Sequence, residues 1–576
     1  MSKENLLAHI RETAGRLNSD RGVHILGFGT DDISVPYEEF LRMSTWLARR
    51  IPDDGQRPKV LVIAADGPLP TLLAFFAGLH RGLWPLILPG PAAGGVDAFL
   101  RRIRQTIRTL PGSCVLALED GLIRAGDFPL GIPVLRLQAQ AQGYGTAEAV
   151  DPPPAVGGDD VAFLQMTSAS TGDAKLVAIS HGNACANLTA LHHGLGAGPD
   201  ERMASWLPLH HDMGLVGTSL LSFFYGFPLH LMKPTEFILR PHRWLDALSR
   251  FRCTITAAPN FGYDHAQRTI RDRDLEGCDL SALKHAVVGA EPIRLATLHG
   301  FHQRFRGYGL RADSLCPSYG MAETAVGTTM VPPGRPPRYL LVDLARTATG
   351  QPARILDEGA VGSAPARSQG TRGVAVFSVG PPLPGMDVTV VDDEGRPLHE
   401  EDVLGEIALR GPSVSVGYLN PATGRPKPFP NHTHHTGDLG LIHRGELYVL
   451  ERRKHVIIRQ GRNYLASLLE ERVGHILGRP AHEILVLDTD IHDPAGDISA
   501  IVENSVGPAC LSAAQQAAFK ELDLPVDTLL FARRRVIPRT TSGKKKYDEA
   551  RRRLALRTLT VDRELRLAPD REGYGT

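Results

Sequence analysis

A chain of 576 residues is long enough for several domains and a large buried core, which excludes a peptide-sized or disulfide-stapled protein. Lys plus Arg number 64 against 63 Asp plus Glu, a formal net charge of +1 that lacks the basic excess expected of a nucleic-acid binder. With 42% hydrophobic and 22% charged residues, the composition is that of an ordinary globular protein and excludes global disorder.

The chain starts MSKENLLAHIRETAGRL, with early acidic residues and no apolar stretch leading to small residues, so it does not read as a secretory signal. Apolar runs of strand length then alternate with amphipathic segments: KVLVIAAD (59–66), PTLLAFFAGLHRG (70–82), LWPLILPG (83–90), and later CTITAAPN (253–260) and KHAVVGAEP (284–292). This strand–helix–strand rhythm predicts α/β layers with largely parallel sheet. Residues 150–160, which contain DPPP, read as a linker, and 332–373 as an irregular surface stretch without periodicity. The uncharged run 215–232 has about membrane-spanning length, but Ser219, Ser222, His230, Pro228 and two glycines mark it as buried core.

From Met386 the texture changes to MDVTVVDDEGRPL, EIALRG and ELYVLERR, short alternating strands separated by tight turns. A β-rich subdomain over about 380–453 is expected, closing a large N-terminal domain of two α/β sheets at residues 1–453. The remainder, 454–576, opens with a strand (HVIIRQG), continues with a helix (YLASLLEERVGHIL) and ends in a basic helical tail (YDEARRRLALRTL), a small C-terminal α+β domain. Six cysteines scattered singly, with no CxxC pair, fit a reducing cytoplasm.

The most informative segment is TSASTGDAK (167–175), which follows the apolar strand VAFL. Clustered hydroxyls and bare backbone N–H groups in a small-residue turn suit a polyphosphate, and Lys175 adds positive charge. It is not the Walker pattern GxxxxGK[ST], and such a turn alone is more often only a loop. It does not stand alone: WLPLHHDMG (206–214), GAEP (289–292), PSYGMAE (317–323), HTGDLG (435–440), RRKHVIIRQGRN (452–463) and PRTTSGKKK (538–546) follow in order. This succession resembles the adenylate-forming superfamily of acid ligases. The wording HDMGL, FILRPHRWLDALS with TAAPNFGYD, and PSYGMAE resembles in particular the fatty acyl-AMP ligases that load acyl carrier proteins.

The resemblance implies ATP-dependent activation of a carboxylic, foremost a fatty, acid to acyl-AMP with Mg²⁺. Transfer to the phosphopantetheine thiol of an acyl carrier protein, or of a carrier domain of a polyketide or peptide synthase, would follow. It places Thr167, Ser168, Ser170, Thr171, Gly172 and Lys175 around the departing phosphates. Gly289, Ala290, Glu291 and Pro292 line the adenine pocket, and in the next motif Ser318, Tyr319, Gly320 and Met321 lie against the nucleotide, Tyr319 stacked on the base. Glu323 holds Mg²⁺, Asp438 accepts the ribose hydroxyls, Arg452 contacts the ribose, and His211 sits where acyl and nucleotide sites meet. Lys544 reaches the carboxylate and α-phosphate during adenylation, with a solvated basic run as the bland reading of its neighbours Lys545 and Lys546. Lys454 is the hinge about which the small domain turns for thiol transfer. Two further readings are a fatty or aryl acid CoA ligase and a catalytically silent nucleotide-binding homologue. Metal binding by His210 with His211 is not expected, because adjacent residues project differently and no third ligand stands at a recognisable spacing, and His432, His434 and His435 read as a polar loop rather than a zinc site.

Several positions depart from the family pattern. Ala169 and Leu176 stand where glycines are usual. The hinge motif, commonly Gly-Arg-x-Lys-Asp, reads Glu451, Arg452, Arg453, Lys454, His455. Residues 332–373 fall where fatty acyl-AMP ligases carry an insertion associated with delivery to a carrier protein, which favours a carrier over CoA as acceptor.

Overall fold

Two eight-stranded sheets carry the large domain. The computed structural model describes residues 5–567 apart from 28–30, 53–59, 92–94, 111–113, 121–131, 153, 168–174, 344–348, 364–372, 460–461, 490–496, 509, 522–524, 534 and 540–543. In the first sheet the strands Leu315–Tyr319, His285–Gly289, Ile255–Pro259, Met203–Ser205, Leu229–Leu231 and Gly22–Ile25 run parallel in that spatial order, with antiparallel strands at both edges. The second sheet has a parallel set, Val161–Met166, Trp84–Ile87, Val60–Ala64, Cys114–Glu119 and Val134–Leu137, extended antiparallel through Leu176–Ser180, Gly417–Asn420 and Arg425–Lys427. The α/β reading of the periodicity therefore holds.

The helix Pro68–His80 corrects the expectation of an amphipathic segment: every residue from Leu69 to His80 is buried, since the helix lies between a sheet and the helix Tyr37–Ala48. Phe76 and Phe40 meet there edge to face, and both pack on Phe223. Phe223 belongs to the run 215–232, which is folded as a π-helical turn (Met213–Leu220), a short helix (Leu221–Tyr225) and a strand (Leu229–Leu231), all core. Among the described residues no helix is long and apolar enough to cross a membrane.

The β-rich region forms a four-stranded antiparallel sheet, Asp387–Val391, Gly405–Arg410, His434–His443 and Glu446–Arg452. Part of this region departs from the expectation, because Gly417–Asn420 leaves that sheet and pairs with Leu176–Ser180, Tyr418 opposite Val177. The stretch 332–373 is likewise not irregular surface. Strands Arg338–Val342 and Ile355–Ala360 join Val374–Phe377 in a three-stranded sheet, and Tyr339, Leu340, Leu341 and Val342 are buried. Proline- and glycine-rich flanks masked a strand too short to show a period of two.

The small C-terminal domain has its own four-stranded sheet and core, built around Val473, Leu485, Ile501 and Leu529. The hairpin Val456–Arg459 with Arg462–Leu465 precedes the helix Ala466–Leu477, so Tyr464 and Leu465 are strand rather than helix. The tail helix spans Tyr547–Ala555, and an edge strand, Arg563–Arg566, follows it.

Burial depresses five of the described histidines strongly. Burial is the main cause that lowers His80, His181, His211 and His285 to about 4 and His230 to about 3. The unfolded chain takes up these protons near pH 6.5 and the folded one does not, so stability present above that pH is lost as it falls towards 4. Each histidine costs on the order of 3 kcal/mol when its full shift is traversed. Thermal melts are expected to fall steeply between pH 6.5 and 4.5, and an unchanged midpoint over that window would rule this out.

Candidate active site

Parallel strands deliver their loops to one edge, the carboxyl ends of the sheet, where α/β folds bind ligands. Pro259 lies opposite Gly289, and Val288 opposite Pro317, so the segments beginning NFGYD, AEPI and SYGMAE leave the sheet side by side. Glu291 accepts the backbone N–H of Phe261, locking two of these loops together. The turn is tight: Ala290 has φ of 67°, a region that L-residues seldom adopt, and a side chain on Gly289 would meet the Ser318 carbonyl at 2.9 Å. Gly320 is more constrained still, since a Cβ there would sit 1.7 Å from the Val326 carbonyl oxygen.

Tyr319 donates its hydroxyl to Asp438 at 2.7 Å. Asp438 and Arg452 face each other across the ladder of two antiparallel strands, which sets their 3.0 Å ion pair. Burial raises the Asp438 carboxyl, and Arg452, the Tyr319 hydroxyl and Lys544 pull it back. Asp438, Arg452 and Tyr319, expected to serve ribose and base, are thus one connected cluster.

Glu323 accepts from the Tyr418 hydroxyl at 2.7 Å, and the Tyr418 ring lies 4.5 Å beneath the Lys175 ammonium. Reading the sequence did not single out Tyr418, because its role arises from the pairing of its strand beside Lys175 and no local motif announces it. Thr167 closes the two ends of the phosphate loop: its N–H donates to the Lys175 carbonyl at 2.9 Å and its hydroxyl accepts the Lys175 N–H at 3.2 Å. Ser168, Ser170, Thr171 and Gly172, together with Ala169, lie outside the described residues. Leu176, the unusual residue after Lys175, opens the strand Leu176–Ser180 and is buried, which accounts for an apolar side chain there. Ser180 caps the following helix in a reciprocal box with Asn183, whose amide donates to the carbonyls of Pro412 and Val414 at 2.8 and 2.9 Å. The next residue but one from Pro412 thereby stays close to the loop whose Ser415 N–H donates to the Glu323 carbonyl at 2.8 Å.

His210 and His211 are packed ring to ring at 4.5 Å, and among the described residues no cluster of three His, Cys, Asp or Glu side chains suited to a metal is found. His211 is lowered to about 4 by burial and then by the charge of Lys544. Lys544 likewise opposes the burial that raises Asp212, Glu291 and Asp438. Asp212, absent from the sequence-derived set, caps the π-helical turn through the Met213 N–H at 2.8 Å. The small domain therefore presents Lys544 to residues of the large domain, and Arg294 with Glu471 bridges the two at 2.7 Å. Lys454 is exposed in the turn Arg453–His455, while Pro292, Ser318 and Met321 belong to the same strand ends and loops, the Ser318 hydroxyl donating to the Val288 carbonyl at 3.4 Å. Glu323, with the Asp212 carboxylate near enough to feel its charge, fits Mg²⁺, a cation that binds through one or two carboxylates, phosphate oxygens and water.

A family model described as AMP-binding enzyme matches residues 121–419. The chain is 31% identical over 454 residues to a 4-hydroxyphenylalkanoate adenylyltransferase of Mycobacterium tuberculosis, covering 75% of this chain and 70% of the relative. It is 32% identical over 415 residues to a medium-chain-fatty-acid–[acyl-carrier-protein] ligase of Moorena producens, with 68% and 67% covered. A solved structure from a study of fatty acyl-adenylate ligases of E. coli and L. pneumophila superposes with a TM-score of 0.79 at 26% identity, covering 96% of this chain and 98% of that one. The L. pneumophila enzyme in complex with acyl adenylate and pyrophosphate gives 0.67 at 25% identity, with 98% of both chains covered.

Proposed function

The chain belongs to the AMP-binding enzyme family, and on that premise we propose that it joins a carboxylic acid, foremost a fatty acid, to AMP from ATP. The acyl group then passes to the phosphopantetheine thiol of an acyl carrier protein. The observation that carries this reading is the convergence of Lys544 with His211, Asp212, Glu291 and Asp438, from distant parts of the chain, on one site.

In the first step a carboxylate oxygen attacks the α-phosphorus, a new P–O bond forms, and the α–β bond breaks to release pyrophosphate. The protein positions the groups and neutralises spread charge. Asp438 and Arg452 orient the ribose, Tyr319 and the 289–292 turn hold the base, and Lys175 with the 167–172 loop faces the leaving phosphates. Lys544 meets the carboxylate and α-phosphate. His211, neutral at physiological pH, lets an apolar chain approach without a buried charge. Glu323 would hold Mg²⁺, which would supply further charge neutralisation at the phosphates when bound. In the second step the small domain, 454–576, turns about Lys454, the carrier thiol attacks the acyl carbon, and AMP leaves with the thiol proton going to solvent.

Relatives named as acyl-carrier-protein ligases favour a carrier over CoA. The sheet over 338–377 falls where the resemblance leads one to expect the insertion of fatty acyl-AMP ligases, in keeping with the same choice. Acid-dependent pyrophosphate–ATP exchange is expected with one class among short, medium and long fatty, aryl and amino acids. No exchange with any acid, from protein that still binds ATP, points to a silent homologue. In competition, acyl transfer to a phosphopantetheinylated carrier is expected to exceed transfer to CoA. Efficient acyl-CoA formation without carrier loading overturns the acceptor.

A further inference from the structure

The hinge residues that depart from the family pattern are buried against each other. Glu451 is 7% and His455 9% exposed, where Gly and Asp are usual. The Glu451 carboxylate lies 3.6 Å from the His455 ring nitrogen Nδ1 and accepts the backbone N–H groups of Arg452 at 3.1 Å and Ser467 at 3.3 Å. The other side of the His455 ring system is covered by Tyr547, stacked with centroids 4.0 Å apart and 26° between planes.

From Tyr547 the contacts continue towards Lys544. The Tyr547 hydroxyl donates to Glu470 at 2.7 Å, and the second oxygen of Glu470 pairs with the ammonium of Lys545. Lys545 is anchored further by the carbonyls of Ala481, at 2.9 Å, and Ile484. The residue after Lys544 is thus fixed on the helix Ala466–Leu477, and the next residue of that helix, Glu471, reaches Arg294 of the large domain. Buried ionic groups of this kind add little stability over apolar packing, and their best-attested use is to select one arrangement among several.

We propose that Glu451 and His455 are a matched pair of positioning residues, which act through Tyr547, Glu470 and Lys545 to hold Lys544 in the adenylating arrangement. The proposal rests on the acyl-adenylating reading of the site. The pair replaces Gly and Asp together because either alone fails: a carboxylate at 455 would face Glu451 in a buried site, and a glycine at 451 would leave His455 without its acid.

The test separates the half-reactions. His455→Ala and His455→Asp are expected to slow acid-dependent pyrophosphate exchange at least tenfold, His455→Asp the more. Acyl transfer from supplied acyl-AMP to carrier should stay within about twofold of the unsubstituted protein. The double variant Glu451→Gly with His455→Asp should recover exchange relative to His455→Asp. Equal loss in both half-reactions, or no recovery in the double variant, overturns the pair. Hydrogen exchange at the amides of Lys545, Lys546 and Tyr547 gives a readout that needs no activity: His455→Ala should raise it at least tenfold there and leave the large domain unchanged. If the unsubstituted protein exchanges pyrophosphate with no acid, the functional reading fails while this measurement still decides the positioning role. Unchanged protection overturns it.

Discussion

Lys544→Ala is expected to lower acyl-adenylate formation by about a thousandfold, roughly 4 kcal/mol of transition-state stabilisation, with the fold intact. The charge of Lys544 acts on half-buried His211, Asp212 and Glu291 and on buried Asp438, where low polarisability makes a fixed charge worth more than in water. As the carboxylate attacks, negative charge concentrates on the α-phosphoryl oxygens, which Lys544 meets in the proposed function. Lys545 is committed to Glu470 and to two carbonyls in the small domain. Lys545→Ala should therefore act differently: it strands a buried carboxylate and destabilises the small domain by about 3–5 kcal/mol. The comparison is made by pyrophosphate exchange and by thermal melting of both variants. Near-normal exchange by Lys544→Ala would remove its role. Acyl transfer from supplied acyl-AMP should survive in that variant, because thiol attack involves no pyrophosphate departure.

Asp438→Ala is expected to raise the KM for ATP about a hundredfold, near 2.7 kcal/mol, the range for losing hydrogen bonds to a charged acceptor. The carboxylate holds the Tyr319 hydroxyl at 2.7 Å and the Arg452 guanidinium at 3.0 Å, so its removal frees both partners as well as the two ribose hydroxyls. Asp438→Asn retains one acceptor oxygen but turns an N–H towards donors, and should lie between alanine and the native residue. Steady-state exchange against ATP concentration, with circular dichroism as a folding control, measures the effect. An unchanged KM in Asp438→Ala would show that the ribose lies elsewhere.

Gly289, Tyr319, Glu323, Asp438 and Lys544 stand in short motifs whose succession resembles the adenylate-forming ligases, and it is that resemblance which proposes roles for them, while strand–loop boundaries place such motifs at a sheet edge. Tyr418 and Asp212 were not legible. Tyr418 acts only because Gly417–Asn420 crosses from the β-rich region to pair beside Lys175, a non-local contact with no periodic signal. The sheet over 338–377 was missed for the same reason: strands of four to six residues between prolines and glycines carry too few alternations to be read.

The linear sequence determined the layered α/β class and the order of the motifs, because hydrophobic period and residue type act over neighbours in the chain, and the chemistry expected of those motifs came through the family they resemble. Tertiary structure committed Lys545 to Glu470, joined Arg452 to Asp438 and Tyr319, and brought Glu451 beside His455. Those outcomes depend on which side chains burial brings together, and the energy of a buried charge is set by its partners in space rather than by its neighbours in sequence.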